Sequence, residues 1–260
     1  MKTLKSFRRI ILSMLLLSVC GWLYTCKKGG TDPQKQAANA TSHICGQVNG
    51  VQAIYWDLMN GIPRTDILGG LPTIKNIGGT YSHPQFPLLS FIYPAGYTPQ
   101  TDGTSGAVGV NLIRNDQKAI WRYTSIFYNG NASASQVLNN EVTQLRAFLG
   151  STGAVATVCS QQSTLPRAAG ISSNIASAFI TFDGFTAVLS VSITTETGLG
   201  AEQINIAVTA APTNEFSNEI LNIFLPIDYE LLYTGNGELD SDGDGVPDSQ
   251  DAAPFDPTKH

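Results

Sequence analysis

The sequence is poor in the residues and motifs that carry enzymatic chemistry. Only three histidines occur, His43, His83 and His260, and none lies in an HExxH arrangement. No GxSxG, P-loop or GxGxxG motif opens a helix. The remaining candidates for acid–base work are carboxylates that would have to pair in the fold, namely Asp57, Asp66, Asp102, Asp116 and Asp183. These absences favour a protein that is not an enzyme.

Basic side chains are also scarce. The chain has 15 lysines and arginines against 20 aspartates and glutamates, and charged residues make up 13% of it. No basic run offers a surface for a phosphate backbone, so nucleic acid is not an expected partner. Because acidic side chains outnumber basic ones, a cation is the expected partner.

The apolar run near the N-terminus is short: it covers residues 10–24 and follows the basic stretch MKTLKSFRR. A permanent span needs about 20 apolar residues, and this run is shorter. A basic stretch followed by a short apolar run is typical of an export signal. Removing residues 1–25 would take away four of the 15 basic side chains and none of the acidic ones, so the mature chain would be more acidic still.

The segment LYTCKKGG, residues 23–30, has the arrangement of a bacterial lipobox, with Leu23 three residues before Cys26. It resembles the signals of Bacteroidetes-type lipoproteins. The resemblance implies cleavage before Cys26, acylation of that cysteine and attachment to outer-membrane lipid. Cys20 is a competing lipid site. An ordinary cleaved signal with a chance cysteine and a retained membrane anchor are the other interpretations.

The C-terminal segment DSDGDGVPDSQD, residues 240–251, alternates acidic residues with a regular spacing. Counted from Asp240 as position 1, the acids stand at positions 1, 3, 5, 9 and 12, with Gly245 at position 6. This is the ligand order of a calcium loop, which has hard oxygen donors at alternating positions, a glycine for the sharp turn and a closing carboxylate. The sequence therefore predicts bound calcium as the cofactor.

Flanking residues separate this segment from an EF-hand, because Pro247 and the sequence AAPFDP do not continue a helix. Residues 240–258 resemble the bacterial thrombospondin type 3 repeat. The resemblance implies one calcium shell and a second or bridging ion. The shell would comprise Asp240, Asp242, Asp244, Val246 and Asp251, and the further ion would be served by Asp248 and Asp256.

Two cysteines remain in the exported part, Cys45 and Cys159. In an exported chain an isolated pair more often forms a disulfide than two free thiols, and the sequence predicts that bridge. Two plain buried cysteines are the alternative.

Hydrophobic periodicity predicts an α+β domain, an antiparallel sheet with two helices. Strand-like runs cover residues 87–94, 107–115 and 118–129, then 176–184, 185–196 and 202–210. One helix would present Leu138, Val142, Leu145 and Leu149 on a single face, and the other Phe216, Ile220, Ile223 and Ile227. The order favours two β-β-β-α units, with a loosely arranged α+β domain as the alternative. A further strand is predicted over residues 48–56.

These elements give four segments: a signal peptide over 1–25, a flexible tether over 26–42, the central domain over 43–235 and the calcium-binding tail over 236–260. The predicted function is a lipid-anchored cell-envelope protein with a non-catalytic binding or adhesion role, towards a glycan or protein ligand. An envelope hydrolase or a glycan-capturing surface lipoprotein is the alternative. Two facing carboxylates in a cleft would favour the hydrolase.

An exposed aromatic strip would favour the glycan binder. The first half of the chain is rich in tyrosine and tryptophan, at Tyr55, Trp56, Tyr81, Tyr93, Tyr97, Trp121, Tyr123 and Tyr128. Such residues on half-buried strands also serve simply as core. His83, which precedes Pro84 in a turn-like setting, is expected at the surface.

Overall fold

A seven-stranded antiparallel sheet forms the centre of the protein in the computed structural model, which describes residues 39–62, 73–102, 106–168, 170–196 and 200–232. The elements in chain order are α1 (Val51–Met59), β1 (Ile77–His83), β2 (Phe86–Pro94), β3 (Tyr97–Asp102), β4 (Ala107–Arg114), β5 (Ile120–Tyr128), α2 (Ala134–Phe148), β6 (Ala156–Ala168), β7 (Ile171–Phe182), β8 (Phe185–Glu196), β9 (Glu202–Pro212) and a C-terminal helix. The sheet order is β3-β4-β5-β9-β8-β7-β6, while β1 and β2 form a separate two-stranded hairpin. The predicted α+β class with an antiparallel sheet is confirmed.

The segment predicted as a strand over residues 48–56 is instead the helix α1, and that prediction was wrong. All of its residues except Gln52 and Met59 are buried. A helix buried around its whole circumference shows no amphipathic period, so its short apolar run cannot be told from a buried strand. Gly50, with φ of 65°, takes the left-handed conformation that turns the chain into the helix.

The two faces of the sheet carry separate cores. One face, called the α2 face, packs Leu138 and Leu145 of α2 against the apolar side of β8, which includes Leu189 and Val191. The other, called the α1 face, lies beneath α1, the β1–β2 hairpin and the C-terminal helix. Its largest buried side chains include Trp56, Phe91, Trp121, Phe216 and Phe224.

The alternation of apolar and small polar residues over 185–196 predicts one buried and one solvent-exposed face for β8, and only the buried face is confirmed. Ala187, Leu189, Val191 and Ile193 are at most 1% exposed on the α2 face. On the other face Thr186 and Ser190 are buried, whereas Ser192 and Thr194 are partly exposed. The hydroxyl of Ser190 donates to the backbone oxygen of Met59 in α1 at 2.9 Å, so part of this face is covered by a helix rather than by water.

The turn between β7 and β8 consists of Asp183 and Gly184, where the predicted strand-like runs 176–184 and 185–196 meet. Both residues have positive φ, 44° and 79°, as a two-residue hairpin turn requires. The carboxylate of Asp183 accepts hydrogen bonds from the hydroxyl of Ser151 and the amides of Thr152 and Gly153. This contact fixes the end of α2 to the hairpin.

The C-terminal helix consists of α3 (Phe216–Glu219), a π-helical turn (Ile220–Phe224) and α4 (Leu225–Leu232). The sequence predicted Ile223 on its buried face, whereas the structure buries Phe224 and leaves Ile223 only partly covered. A π-helical turn holds one extra residue. One residue corresponds to about 100° of rotation in a helix, so the position that faces the core shifts from Ile223 to Phe224.

The two halves share the order of three strands followed by a helix, but they differ in packing. The first half contains α2 and the second contains the C-terminal helix, and these two helices cover opposite faces of the sheet. Strands β1, β3 and β6 and the helix α1 lie outside the predicted units. Among the described residues, no helix is long and apolar enough to cross a membrane.

Candidate functional site

A groove of about 340 Å³ with a mixed polar and apolar lining lies between the C-terminal helix and the chain around the β1–β2 hairpin. Its lining includes Lys75, Asn76, Tyr97, Glu219 and Asn222. Asn76 has φ of 55°, an uncommon left-handed conformation for a residue other than glycine, and its carbonyl accepts the Ala95 amide at 2.7 Å. The groove wall is therefore held in a defined shape.

One side of the groove is tied to the sheet through the guanidinium of Arg114. Its Nη1 atom donates to Glu215 at 2.7 Å and to Glu219 at 2.5 Å, and its Nε and Nη2 atoms donate to Asp116 at 2.9 Å. The hydrogen bond from Arg114 lowers the pKa of Asp116 below its ordinary value. Three carboxylates thus converge on one cation, and β4 is fastened to the C-terminal helix.

Tyr97 completes this cluster from β3. Its hydroxyl donates to the second carboxylate oxygen of Glu219. Burial, followed by the hydrogen bond to Glu219, raises the pKa of Tyr97 above its ordinary range. The phenol therefore stays protonated at neutral pH and is suited to positioning rather than to proton transfer.

Two carboxylates, Glu215 and Glu219, meet at the same guanidinium beside the groove. Arg114 donates hydrogen bonds to both of them. The arrangement can bind a polar ligand in the groove and can hold the helix.

Ser42 and His43, which precede α1, contact Asp57 near the C-terminal end of α1 without forming a catalytic triad. The hydroxyl of Ser42 donates directly to Asp57 at 2.9 Å, and His43 Nδ1 lies 3.4 Å from the other oxygen of Asp57. A triad needs the histidine between the serine and the carboxylate. Here Ser42 also accepts the amides of Ile44 and Cys45 at 3.2 and 2.9 Å, so the contact orders the turn that carries Cys45.

The carboxylates proposed to pair lie in separate settings. Asp57 contacts Ser42, Asp116 contacts Arg114, and Asp183 contacts the loop after α2. Asp102 of β3 interacts electrostatically with Arg122 of β5, which also pairs with the buried Glu141 of α2. Asp66 lies outside the described residues.

The aromatic residues of the first half serve mainly as core. Tyr55, Trp56, Tyr81, Tyr97 and Trp121 are at most 8% exposed, and Tyr93 and Tyr123 pack partly against the same core. Tyr128 is exposed, as is its neighbour Phe127. The predicted set therefore does not form a flat exposed strip, and the glycan alternative loses the feature expected of it.

His83 is buried rather than at the surface, so its predicted position was wrong. It is 1% exposed, and its Nδ1 atom accepts the amides of Gln85 and Phe86 at 3.2 and 3.1 Å. These bonds close the β1–β2 turn. The histidine has the role of a turn-stabilising acceptor rather than that of a base.

A buried carboxyl group that sequence reasoning missed lies beneath the C-terminal helix. Asp228 of α4 is 6% exposed and accepts a hydrogen bond from Trp121 Nε1 at 2.8 Å. Burial raises the pKa of Tyr55, and the nearby charge of Asp228 raises it further. Burial raises the pKa of Asp228 from 3.8 to about 7. No signal in the sequence distinguishes this aspartate, because its environment is built by residues from distant strands and helices.

Cys45 and Cys159 are brought together as a disulfide-capable pair. Their Cα atoms lie 6.2 Å apart, within the range for a bridge. Cys45 follows the Ser42 turn and Cys159 is in β6. Both line a cavity of about 240 Å³ together with Trp56.

The predicted lipid and calcium sites lie outside the described residues. These are Cys26 for lipid and, for calcium, Asp240, Asp242, Asp244, Val246, Asp248, Asp251 and Asp256. Among the described residues, no group of three or more histidine, cysteine, aspartate or glutamate side chains is placed to hold a metal ion.

Comparison with known proteins finds no family model and no curated protein that matches the sequence. Among solved structures, the Ran-binding protein Mog1p of Saccharomyces cerevisiae is similar at 13% identity and a TM-score of 0.28, over 55% of this chain and 82% of Mog1p. LpqN of Mycobacterium tuberculosis, described as involved in cell envelope biogenesis, is similar at 12% identity and a TM-score of 0.23, over 59% of this chain and 79% of LpqN. TM-scores this low do not establish a shared fold, and no function is inferred from them.

Proposed function

We propose that this chain is a lipid-anchored cell-envelope protein with a calcium-binding C-terminal segment and a non-catalytic binding or adhesion role. The observation that carries the proposal is the spacing of Asp240, Asp242, Asp244 and Asp251 around Gly245. The lipobox at Cys26 supports the location. The groove of the central domain supports the binding role, because Lys75 and Asn222 line it beside Glu219.

Calcium is expected to bind weakly. Asp251 is one methylene shorter than the glutamate that closes an EF-hand loop, and the sequence around the loop does not predict the flanking helices that preorganise such a site. The expected dissociation constant is about 10⁻⁴ to 10⁻³ M, the range of extracellular modules. Such a site is filled permanently outside the cell and does not act as a signalling switch.

Isothermal titration of the full chain with calcium tests this assignment. The wild-type chain should show binding in the stated range, and an Asp242→Ala, Asp244→Ala double variant should show none. An Asp32→Ala, Glu238→Ala double variant removes the same charge outside the loop and should bind as the wild type does. Calcium should also slow proteolysis within residues 238–257 in the wild type and in this control, but not in the Asp242→Ala, Asp244→Ala variant. Equal titration curves for the two double variants would contradict the assignment.

Lipid attachment is tested by labelling cells with radioactive palmitate. Cys26→Ser should abolish the label and remove the processed protein from the membrane fraction, because the acylated sulfur is lost. Cys20→Ser should keep the label. Loss of label in the Cys20 variant alone would move the lipid site to Cys20, and labelling of neither wild type nor variant would reject the anchor.

A further inference from the structure

The two edges of the seven-stranded sheet differ in how far they are protected. Strand β3 at one edge has only six residues, with Pro99 in its middle and Asp102 at its end. Proline lacks the amide that a pairing strand needs, and a charge at an edge disfavours further pairing. This edge is closed to strand addition by its own sequence.

Strand β6 at the other edge has 13 residues and lacks those features over most of its length. From Ala156 to Leu165 it contains no proline and no charged side chain. Irregularities in its pairing with β7 fall near its two ends, at Thr157/Cys159 and at Pro166/Ala168. Between them, eight residues pair with β7 in regular register. Among the described residues, no other strand pairs with the outer side of β6.

The side chains of this stretch suit contact with another strand. Ser160, Gln162 and Thr164 point to the α2 face and are exposed there, because α2 packs on β7 and β8 rather than on β6. Hydroxyl and amide side chains form favourable cross-strand pairs, while like charges placed opposite each other are destabilising. An uncharged edge thus accepts a neighbour without electrostatic cost, although the protein as a whole is acidic, with a formal net charge of −5.

We propose that the outer edge of β6 binds a second copy of this chain by antiparallel β6–β6 pairing. A strand that pairs antiparallel with its own copy makes a closed two-fold contact, in which every contact between two different residues occurs twice, once in each direction. The two-fold axis lies near Gln162, the middle of the regular stretch. The two sheets then join into one continuous sheet, and only the proline-containing β3 edges remain at its ends, so assembly stops at the dimer.

The second copy is favoured over a different protein by the neutrality of the edge. An acidic or basic peptide partner would be matched by charges of the opposite sign, and residues 156–165 have none. The other occupant to be distinguished is residues 63–72 of the same chain, which would cover the edge in the monomer.

Sedimentation equilibrium of the full chain in a density-matched detergent tests the proposal. The wild type should dimerise with concentration. A Gln162→Lys, Thr164→Lys double variant places four lysines along the two-fold contact and should weaken dimerisation at least about tenfold, because like charges oppose each other across the strands. The control is a Thr98→Lys, Gln100→Lys double variant, which adds the same charge to β3 and should dimerise as the wild type does.

Hydrogen exchange of the wild type provides a second readout that needs no variant. Amides between Ser160 and Leu165 should become more protected as the protein concentration rises through the dimerisation range. A monomeric wild type at all concentrations, protection independent of concentration, or equal weakening by the β3 and β6 variants would each overturn the proposal.

Discussion

Replacement of Cys45 and Cys159 by alanine is expected to lower the free energy of unfolding by about 5 kcal/mol. The two cysteines are 114 residues apart in sequence, and a bridge of that span removes much of the conformational freedom of the unfolded chain. In the folded state the bridge joins the turn before α1 to the edge strand β6. Urea denaturation of the double variant and of the wild type, each with and without reductant, measures the difference.

The reductant supplies the control for this experiment. The reduced wild type should lose about as much stability as the variant, and the variant should not respond to reductant. A chain with Cys20→Ser and Cys26→Ser, denatured without reductant, should show no free thiol. Two titratable thiols in that chain, or equal stability of oxidised and reduced protein, would exclude the bridge.

Replacement of Asp228 by asparagine is expected to remove a pH dependence of stability of roughly 4 kcal/mol. The folded carboxyl group has its pKa raised from 3.8 to about 7. Between these values the folded chain binds a proton that the unfolded chain has released, so the contribution of Asp228 to stability falls as the pH rises from about 4 to about 7. Above pH 7 the loss is complete. Asparagine keeps an oxygen that can accept the hydrogen bond of Trp121 and does not ionise.

The measurement is the free energy of unfolding in urea at pH 4, 5.5, 7 and 8. The free energy of unfolding of Asp228→Asn, relative to that of the wild type, should increase progressively across this range. The variant should be the more stable protein at pH 8. Asp116→Asn is the matched control. Because Arg114 lowers the pKa of Asp116, the pH dependence of its contribution lies below about pH 4, and the stability difference between this variant and the wild type should stay nearly constant from pH 5.5 to 8. Glu230 of α4, whose pKa is also raised by burial, is unchanged in both variants. Parallel pH profiles for the wild type and Asp228→Asn would contradict the prediction.

Amphipathic elements were predictable from the sequence, and elements buried on all sides were not. Helix α2 has a polar and an apolar side, so Leu138 and Leu145 stood out at helical spacing. Helix α1 is covered on all sides and resembles a buried strand. Strand β6 was missed for the opposite reason, since SQQST shows no apolar alternation. The π-helical turn shifts Ile223 out of the core. The sequence did not predict this, because a regular helical period does not include the extra residue of such a turn.

The candidate site could not be predicted because its contacts join residues far apart in the chain. Arg114 meets Glu215 and Glu219 across more than a hundred positions, and Trp121 meets Asp228 across a similar distance. In the sequence, each of these residues is an ordinary charged or aromatic side chain. Only the sheet order, which brings β5 beside β9, puts them within reach of one another.

The sheet order also bears on how the chain folds. Strands β3, β4 and β5 form one meander and β6 to β9 another, and each is built from neighbours in sequence. The meanders meet only where β5 pairs with β9, with α2 and three further strands between them in the chain. Local pairings close small loops and form quickly, whereas distant ones carry a larger entropy of closure. The central strand pair is therefore expected to form last, from two halves that have already acquired their hairpins.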